Sequence, residues 1–499
     1  MRVQKIFGPP GSGKTTYLLG LVEKELEEGT SSSAIGYFSF TRKASIEARE
    51  RAIQRFPTLV PDIDFPWFRT LHSLAYYCLG VSTKDMMRPE NFREFSAQVG
   101  IEIVTETDDE VFSVRADNPI LNQINLARIK GEDLRVHYNR SNIDIEWHHF
   151  EYISRAYRHY KASKELLDFN DLLERILEQP ERLPSLDVLI IDEAQDLSKL
   201  QWQIVEHLVK KAKRSYLAGD DDQAVYNWAG ADVHAFLGFE GEPLVLQQSY
   251  RVPLEIHALA NRVVKRIRVR QEKIWHPREE RGTIAFYNDF QKVDLSSGQW
   301  LVLAATNHLL NEMHTWLKGQ GILFERHGQR SISEAVLTAV MGWETLRRGG
   351  SVSSKTVKAI YKYLGTPFVA RGQRSLALLP EEGLFSLNRL RENYGLQTDA
   401  IWHETLTKID AAKRDYIIAI LRRKTKLTGE INVKLSTIHG AKGGEADNVL
   451  MLTELSTKFA DEYQRNPDDI NRLLYVGITR AKQSLHLVHP RNAKKAFFL

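Results

Sequence analysis

Cysteine is nearly absent from the sequence, and no apolar run approaches the length of a membrane span. Cys78 is the single cysteine among 499 residues, so the chain can form neither an internal disulfide nor a cysteine metal cluster. No signal-peptide pattern precedes the first motif. A helix needs about twenty consecutive apolar residues to cross a bilayer, and the sequence offers no such stretch. These absences predict a protein of the cytoplasm or nucleoid that has no membrane partner.

Low-complexity segments and short internal repeats are absent too, and the balance of residue types is that of a folded protein. Hydrophobic residues make up 42% of the chain and charged residues 26%, which is enough to form sizeable cores. The length predicts roughly three or four structural units. The formal net charge of +4 permits a polyanionic partner but does not require one, because local charge matters more than the total.

The most informative segment lies near the start of the chain, between an apolar run that ends at Phe7 and a helical pattern. All eight positions of Gly8-Pro9-Pro10-Gly11-Ser12-Gly13-Lys14-Thr15 match a phosphate-binding loop in the order strand, loop, helix. Glycines let backbone N–H groups approach an anion, and the helix N-terminus adds positive potential. An ordinary glycine-rich turn is the alternative, and the full match disfavours it.

The loop predicts a nucleotide site with a magnesium ion. We expect Lys14 to reach the β- and γ-phosphates and Thr15 to offer its hydroxyl to Mg²⁺. The motif indicates a nucleotide but not the process that the nucleotide drives. The predicted nucleotide-binding residues of this segment are Gly8, Gly11, Ser12, Gly13, Lys14, Thr15 and Thr16.

A second strand pattern, from Leu186 to Ile191, ends in acidic residues. Asp192 and Glu193 follow directly, and a buried parallel strand that delivers two acids to its tip fits a Walker B site. We expect Asp192 to hold Mg²⁺ through water and Glu193 to position or deprotonate the attacking water. A merely polar strand end is the alternative, and the phosphate loop upstream disfavours it.

A third strand pattern ends at Gly219 and continues into acids, an amide and two aromatic residues. The acids from Asp220 to Asp222 and the amide of Gln223 would suit a metal–phosphate site. Tyr226 and Trp228 would suit stacking on nucleic-acid bases if their rings are exposed. Aromatic residues are otherwise more often part of a core, so both interpretations stay open for these two.

Strands alternate with helices through much of the chain, which predicts doubly wound parallel sheets. Two stretches lack this rhythm and are mostly helical in pattern. The predicted fold class is therefore α/β, with two parallel-sheet P-loop cores that each carry a mostly helical inserted subdomain. The predicted boundaries are 1–80 and 165–250 for the first core, 81–164 for its insertion, 251–329 and 430–499 for the second core, and 330–429 for its insertion.

Two groups of polar residues have an ordinary interpretation. Six basic residues lie between Arg262 and Lys273, at and beyond the end of a helix predicted over Leu254 to Ile267. They would form either a phosphate-facing stripe or a solvated helix face, and we expect the latter because the charges fall on more than one side. His148 and His149 would point apart on a helix, so we interpret them as surface residues rather than metal ligands.

The last part of the chain adds Thr437-Ile438-His439-Gly440 and Gly477-Ile478-Thr479-Arg480-Ala481. With the earlier segments, these motifs resemble those of superfamily 1A helicases of the UvrD/Rep/PcrA kind, in family order from Gly8 to Lys482. The resemblance implies two RecA-like cores, with the insertions corresponding to the 1B and 2B subdomains. The other segments that carry it are Phe40-Thr41-Arg42-Lys43-Ala44, Thr70-Leu71-His72, Asp168-Phe169-Asn170-Asp171-Leu172, Gly219 to Trp228 and Ser249-Tyr250-Arg251.

The resemblance implies an ATP site and assigns its residues. ATP and Mg²⁺ are the expected cofactors. Tyr250 would stack on adenine and Glu445 would hold the ribose, while Arg251 and Arg480 would be arginine fingers from the second core. The residues that would surround the phosphates and the metal are Lys14, Thr15, Asp192, Glu193 and Gln223, and the expected catalytic residues are Glu193, Gln223, Arg251 and Arg480.

The same resemblance implies a track for single-stranded DNA. The implied activity is that of an ATP-dependent DNA helicase or translocase that moves 3′→5′ and acts on single-stranded DNA and 3′-tailed duplexes. Two alternatives stay open: a translocase that displaces bound proteins with little unwinding, and a nucleotide-dependent subunit that remodels DNA through a protein partner. The residues that would line the track are Phe40, Thr70, His72, Phe169, Tyr226, Trp228, Thr437 and His439.

The sequence departs from the family pattern at several places. Related enzymes carry a glutamine-bearing helix upstream of the phosphate loop, and they often have arginine at the positions of Thr16 and Ala229. Their second insertion is longer, and they build a duplex-splitting hairpin after the last motif, where this sequence has Pro490 to Leu499. We therefore expect relaxed base selectivity and find no evident counterpart of the hairpin.

Overall fold

The computed structural model describes residues 2–40, 42–56, 60–108, 113–141, 143–374, 376, 379–492 and 495–497. Thr41, which belongs to one of the motif segments, lies outside these residues. The chain divides into two compact units, Met1–Arg281 with Glu462–Thr479 and Gly282–Asp461 with Arg480–Leu499. Among the helices described, none combines the length and the apolar character needed to cross a membrane.

The first unit is built on a six-stranded sheet in which all neighbouring strands are parallel. Leu189 and Ile191 pack into one hydrophobic cluster, whereas Val188 and Ile190 pack into another. Burial on both faces explains why this strand is a continuous apolar run rather than an alternating one. In order across the sheet, the strands are Phe68–Arg69, Ile35–Ser39, Val188–Asp192, Arg214–Gly219, Arg2–Phe7 and Glu242–Val245.

The carboxyl ends of these strands meet at one edge of the sheet, which is where ligands bind in open α/β sheets. Each strand is followed by a segment that the sequence marks as functional. The phosphate loop follows Phe7, Phe40 follows Ser39, and Glu193 follows the strand that ends at Asp192. The parallel arrangement therefore gathers segments that are far apart in the sequence.

Helices connect the strands and build the insertion. Residues 81–164 contain helices, as their pattern predicts, and also an antiparallel strand pair, Val104–Asp108 with Ser113–Asp117, which the pattern does not predict. The exact bounds of the insertion stay a prediction. The helices of the unit are Lys14–Glu27, Arg42–Arg55, Pro61–Asp64, Leu71–Leu79, Pro89–Val99, Pro119–Lys130, Leu134–Arg140, Trp147–Ser163, Phe169–Glu178, Lys199–Lys211, Val233–Gly238, Leu254–Val264 and Pro467–Ile478.

A buried ion cluster joins two helices of this insertion to the helix Phe169–Glu178. Lys161 Nζ lies 2.6 Å from Asp168 Oδ2, and Arg128 Nη1 lies 2.7 Å from the same oxygen. Burial alone would raise the pKa of Asp168, but the two cations outweigh it and hold the pKa well below its usual range. Asp168 also caps the helix, so the cluster fixes the position of Phe169 at the helix start.

The second unit contains a seven-stranded sheet that is parallel apart from one antiparallel pair at its edge. Its core is apolar and continues into the helices of residues 330–429. The strands, in order across the sheet, are Thr283–Tyr287, Ala481–Val488, Ala446–Leu452, Trp300–Ala304, Val433–Thr437, Phe324–Arg326 and Gln329–Arg330. Its helices are Leu310–Gly319, Glu334–Arg347, Ser354–Tyr363, Leu387–Tyr394, Trp402–Thr405 and Ala411–Arg422, and Thr457–Arg465 begins in it.

The sequence prediction of an α/β fold with two parallel-sheet cores is confirmed. The first compact unit, however, continues past residue 250, where the sequence prediction begins the second core, as far as Arg281. The strand pair Gln248–Pro253 and His276–Arg278 lies wholly within this unit. The unit also includes the helix Pro467–Ile478, most of whose residues are buried.

Candidate nucleotide and nucleic-acid sites

The phosphate loop is shaped by two glycines in the left-handed region. Gly11 and Gly13 have φ values of 72° and 73°, which other residues rarely adopt. A side chain at position 11 would also collide with its neighbour, because a Cβ atom there would lie 2.3 Å from Cβ of Arg251. Gly13 forms the N-cap of helix Lys14–Glu27 without a side-chain cap, which leaves the first backbone N–H groups of the helix for an anion.

Lys14 lies between the two acids of the strand that ends at Asp192. Its Nζ is 2.6 Å from Oε1 of Glu193 and 3.6 Å from Oδ1 of Asp192. Burial alone would lower the pKa of Lys14, but the two carboxylates outweigh it and keep the ammonium charged. The site therefore presents a fixed positive charge next to the loop.

Asp192 and Glu193 differ in their surroundings. Asp192 is buried, and its carboxylate accepts hydrogen bonds from the Tyr37 hydroxyl at 2.8 Å and from the Glu193 backbone N–H at 2.9 Å. Burial raises the pKa of Asp192, and Lys14 acts in the opposite direction. Glu193 has a φ of 56°, a strained conformation for a residue with a side chain, of the kind that clusters at functional sites.

These residues fit a magnesium-bound phosphate chain. A loop of backbone N–H groups and an ammonium suit phosphate oxygens. The carboxylate of Asp192 and the hydroxyl of Thr15 are the hard oxygen ligands that Mg²⁺ prefers. Ser12 Oγ is buried and has no partner within the described part of the chain, so the loop holds a polar atom that a phosphate oxygen could satisfy.

The acids from Asp220 to Asp222 are all fully buried and are paired with a lysine far along the chain. Nζ of Lys273 lies 3.1, 2.5 and 2.8 Å from their carboxylate oxygens in turn. Arg270 adds two hydrogen bonds of 2.8 Å to Asp222. An ammonium therefore already neutralises these acids, and their suitability for a metal–phosphate site stays a prediction.

Their pKa values follow from this pairing. Burial raises the pKa of Asp221 to about 6, even though Lys273 acts against it. For Asp222, burial is outweighed by Lys273 and Arg270, which lower its pKa. The prediction of a solvated helix face for the basic residues up to Lys273 is wrong for Lys273 and Arg270, whereas Arg262 and Lys265 are exposed as predicted. Helix Leu254–Val264 ends before Arg270 and Lys273, so a helical pattern could not place them.

Gln223, Tyr250 and Arg251 lie in the same compact unit as the phosphate loop. Gln223 donates a hydrogen bond of 2.7 Å to Asp220. The backbone N–H of Tyr250 donates to Gly11 O at 2.8 Å, and the Tyr250 ring is 73% exposed, so its face is accessible for stacking. The expectation that Arg251 belongs to the second core is not met, because this hydrogen bond ties its segment to the loop.

Three aromatic rings form a surface beside this site. The rings of Phe40 and Tyr226 are stacked with centroids 5.5 Å apart, and Trp228 follows at 6.4 Å from Tyr226. Burial raises the pKa of the Tyr226 hydroxyl to about 12. Trp228 is 65% exposed, so it is not part of a core and its ring is accessible to a base.

A second aromatic pair joins the starts of two helices. The rings of His72 and Phe169 lie 5.6 Å apart. Thr70 is buried, and its hydroxyl caps helix Leu71–Leu79 by accepting the Ser73 backbone N–H at 3.2 Å. Burial lowers the pKa of His72 to about 4, against the influence of Asp168. His72 is therefore a neutral ring at neutral pH.

The remaining predicted site residues lie in the second compact unit. Arg480 is buried, and its Nη1 donates to Gly444 O at 3.2 Å. Glu445 is exposed and pairs with Lys482 at 3.0 Å. His439 stacks on Phe459 at 6.1 Å, and Thr437 Oγ1 accepts the Gly440 backbone N–H at 3.1 Å.

The sequence prediction missed four residues that organise the first unit. Lys273 and Arg270 neutralise the acids, and Arg472 donates to the backbone carbonyl of Asp221 at 2.9 Å. Gln195 is completely buried between two strand ends. Gln195 stands next to the predicted acids, but no spacing in the sequence distinguishes it, and the three cations are separated from their partners by at least one helix.

We predict that His72 makes unfolding depend on pH. Between the ordinary histidine pKa of 6.5 and the folded value of about 4, the unfolded chain binds a proton that folded His72 does not. Above pH 6.5, His72 is neutral in both states and the free energy of unfolding keeps its full value. As the pH falls towards 4, protonation of His72 in the unfolded chain lowers the free energy of unfolding. His72→Gln should reduce the loss of Tm between about pH 7.5 and about pH 5.

His148→Gln is the matched control, because His148 is an exposed histidine in the same unit. Its Tm should show the same pH dependence as that of the unmodified protein. An equal reduction by both substitutions would contradict the assignment of the pH dependence to His72.

Two family models match the chain. A model described as the UvrD/REP helicase N-terminal domain matches residues 3–243, and one described as the UvrD-like helicase C-terminal domain matches residues 402–492. Together they cover about two thirds of the 499 residues. The first match includes the phosphate loop and the aromatic surface, and the second includes Arg480.

Individual relatives agree with this family at low identity. An ATP-dependent DNA helicase PcrA of Staphylococcus aureus is 26% identical over 81% of this chain and 58% of its own length. A DNA helicase II of Haemophilus influenzae is 26% identical over 57% of this chain and 41% of its own length. The chain thus spans about half the length of the curated relatives that it matches.

A solved structure described as "The structure of PRRSV helicase" aligns with 100% of this chain and 54% of that chain, at 12% identity and a TM-score of 0.36. That similarity is too remote to support a conclusion. The family models, the two parallel-sheet cores and the ordered motifs agree with one another. The chain belongs to the UvrD/Rep family of superfamily 1 helicases.

Proposed function

We propose that the protein is an ATP-dependent DNA helicase or translocase that moves 3′→5′ along single-stranded DNA. One observation carries the proposal: a single segment begins beside the nucleotide site and ends in an exposed aromatic surface. Asp220, at its start, accepts the amide of Gln223, and Trp228, at its end, is 65% exposed. A change at the nucleotide can therefore reach a base-stacking residue through a few covalently linked residues.

Family membership and the names of the relatives support the activity. The Staphylococcus aureus relative is named an ATP-dependent DNA helicase. The direction of movement rests on the likeness of Gly219 to Trp228 to the 3′→5′ branch of the superfamily. The proposed substrates are single-stranded DNA and 3′-tailed duplex DNA.

The predicted site residues offer a candidate for each role in nucleotide hydrolysis. Backbone N–H groups of the loop and the Lys14 ammonium would bind the phosphates, and Asp192 with Thr15 would hold Mg²⁺. ATP supplies the phosphoanhydride bond, and Mg²⁺ neutralises the charge of its phosphates. The Glu193 carboxylate would orient a water molecule and accept its proton. Gln223, Arg251 and Arg480 would stabilise the charge of the transferred phosphoryl group.

The nucleoside would be held by fewer groups. The exposed ring of Tyr250 would stack on the base, and Glu445 would bind the ribose. Thr16 has a short side chain where relatives often have arginine, so it cannot cover the second face of the base. Stacking on one ring discriminates poorly between bases.

The aromatic surface would bind the DNA strand. Trp228, Tyr226 and Phe40 form one group of neighbouring rings, and His72 with Phe169 forms a second. Stacking on aromatic rings tolerates any base sequence, as a translocating protein requires. Thr70, Thr437 and His439 complete the proposed set of DNA-contacting residues.

We expect single-stranded DNA to stimulate ATP hydrolysis, and we expect Lys14→Ala and Glu193→Gln to abolish it. The first substitution removes the phosphate-binding cation. The second removes the proton acceptor but leaves the loop intact, so Glu193→Gln should still bind nucleotide in an equilibrium assay. Lys210→Ala and Glu206→Gln, at exposed positions of helix Lys199–Lys211, are the matched controls and should hydrolyse ATP normally. DNA-stimulated turnover at the normal rate in either site variant would refute the assignment.

We also expect Trp228→Ala to weaken DNA binding without destabilising the fold. Loss of one stacked ring should cost about 1–3 kcal/mol of affinity for an oligothymidylate. Because Trp228 is largely exposed, Tm and DNA-independent ATPase activity should stay near those of the unmodified protein. Fluorescence anisotropy and thermal melting measure the two effects separately.

Two substitutions calibrate this experiment. Phe286→Ala removes a 54% exposed aromatic ring of the second sheet and should leave DNA affinity unchanged. Trp202→Ala removes a buried ring of the first core and should cost about 3–5 kcal/mol of stability. If Trp228→Ala behaves like Trp202→Ala, or binds DNA as tightly as Phe286→Ala, the proposed surface is wrong.

A further inference from the structure

Gln195 lies at the carboxyl ends of two neighbouring strands of the first sheet, Val188–Asp192 and Arg214–Gly219. It is completely buried, in the turn Ala194–Asp196 that follows Glu193. The neighbouring strand Arg214–Gly219 ends directly before Asp220. A buried amide must have its donor and its acceptor satisfied, so its partners reveal what it holds in place.

The two ends of this amide bind two different functional segments. Its Nε2 donates a hydrogen bond of 2.5 Å to Oε2 of Glu193, and a longer one of 3.3 Å to Asp196. Its Oε1 accepts the backbone N–H of Asp220 at 3.0 Å. One planar group therefore connects the proposed catalytic carboxylate to the first residue of the segment that leads to Trp228.

The backbone on both sides is adapted to this amide. A Cβ atom at position 219 would lie 2.4 Å from Oε1 of Gln195, so only glycine leaves room for the amide. Glu193 itself has a left-handed φ of 56°, and its carboxylate accepts the Gln195 amide. Strain of this kind persists only where the surroundings fix it, and Lys14 and Gln195 both bind this carboxylate.

The connection continues beyond Asp220. Its carboxylate accepts the Gln223 amide at 2.7 Å and lies 3.1 Å from the Lys273 ammonium. The segment is therefore fixed at its start by buried, charge-assisted contacts, while its end at Trp228 is exposed. Movement of Trp228 on binding a base would be transmitted along the segment to Asp220 and to the amide.

We propose that Gln195 is a positioning residue that ties the orientation of the Glu193 carboxylate to the position of the segment 220–228. Through this amide, a strand stacked on Trp228 changes the turnover of nucleotide at Glu193. The proposal rests on the proposed function, because it assigns a route for stimulation by DNA. Gln195 itself contacts neither the proposed nucleotide groups of the loop nor the aromatic surface in the hydrogen bonds described.

Two substitutions at Gln195 separate its two hydrogen bonds. Gln195→Glu keeps an acceptor for the Asp220 N–H but loses the donor to Glu193. Gln195→Met keeps the approximate volume and loses both bonds. The readout is the ratio of ATPase kcat with and without an oligothymidylate, together with KM for ATP, in the chain of 499 residues.

We expect both variants to lower the stimulation ratio by about tenfold or more, the effect typical of groups that orient a functional residue. KM for ATP should change less than about twofold, because the phosphate-binding groups are untouched. Gln201→Met is the matched control: Gln201 is another buried glutamine, whose side chain accepts the Ser198 N–H at 2.9 Å within a helix cap. It should lower Tm and leave the stimulation ratio unchanged.

Gly219→Ala tests the same link with Gln195 intact, because the added methyl group displaces the amide of Gln195. This variant takes the place of any Gln195 variant that does not fold. It should lower the ratio as Gln195→Glu does. If folded Gln195 variants keep the normal ratio, or if Gln201→Met lowers it equally, the positioning role is wrong. If the unmodified protein shows no stimulation by DNA, the proposed function itself fails, which is a different outcome.

Discussion

Three consecutive buried aspartates can exist in a folded chain only if positive charge is buried with them. Lys273 supplies that charge, with its ammonium within 3.1 Å of all three carboxylates. Arg270 adds a bidentate pair of hydrogen bonds to Asp222. Removing one partner of a buried ion pair typically costs about 3–5 kcal/mol. The loop that separates the nucleotide site from the aromatic surface therefore depends on Lys273. Because Lys273 packs against these acids, the first compact unit continues to Arg281.

The same cluster gives the segment from Asp220 to Trp228 one rigid end and one accessible end. At the rigid end, Gln195 and Lys273 fix Asp220, and Arg472 holds the carbonyl of Asp221. At the accessible end, Trp228 projects into solvent beside the stacked pair of Phe40 and Tyr226. A protein that couples hydrolysis to movement on a strand needs such an element, with one end at the nucleotide and the other at a base.

Local patterns in the sequence predict the fold class correctly, and the segments proposed for the nucleotide site are local patterns too. The phosphate loop and the acids after Ile191 depend on adjacent residues, and the alternation of strands with helices is likewise local. The sequence pattern predicts a solvent-exposed Lys273. The carboxylates that neutralise Lys273 lie about fifty residues earlier in the chain, and no helical periodicity connects them to it. Arg251 was assigned to the wrong compact unit for a related reason: a hydrogen bond from Tyr250 to Gly11 decides where its segment packs.

In the proposed function, hydrolysis at the phosphate loop drives movement in one direction along a single strand. Strand displacement on duplexes with a 3′ tail, a 5′ tail or no tail tests this claim most directly, with Glu193→Gln as the inactive control. We expect ATP-dependent displacement of the 3′-tailed duplex and little displacement of the other two. Preferential displacement of the 5′-tailed duplex, or equal displacement by Glu193→Gln, would contradict it.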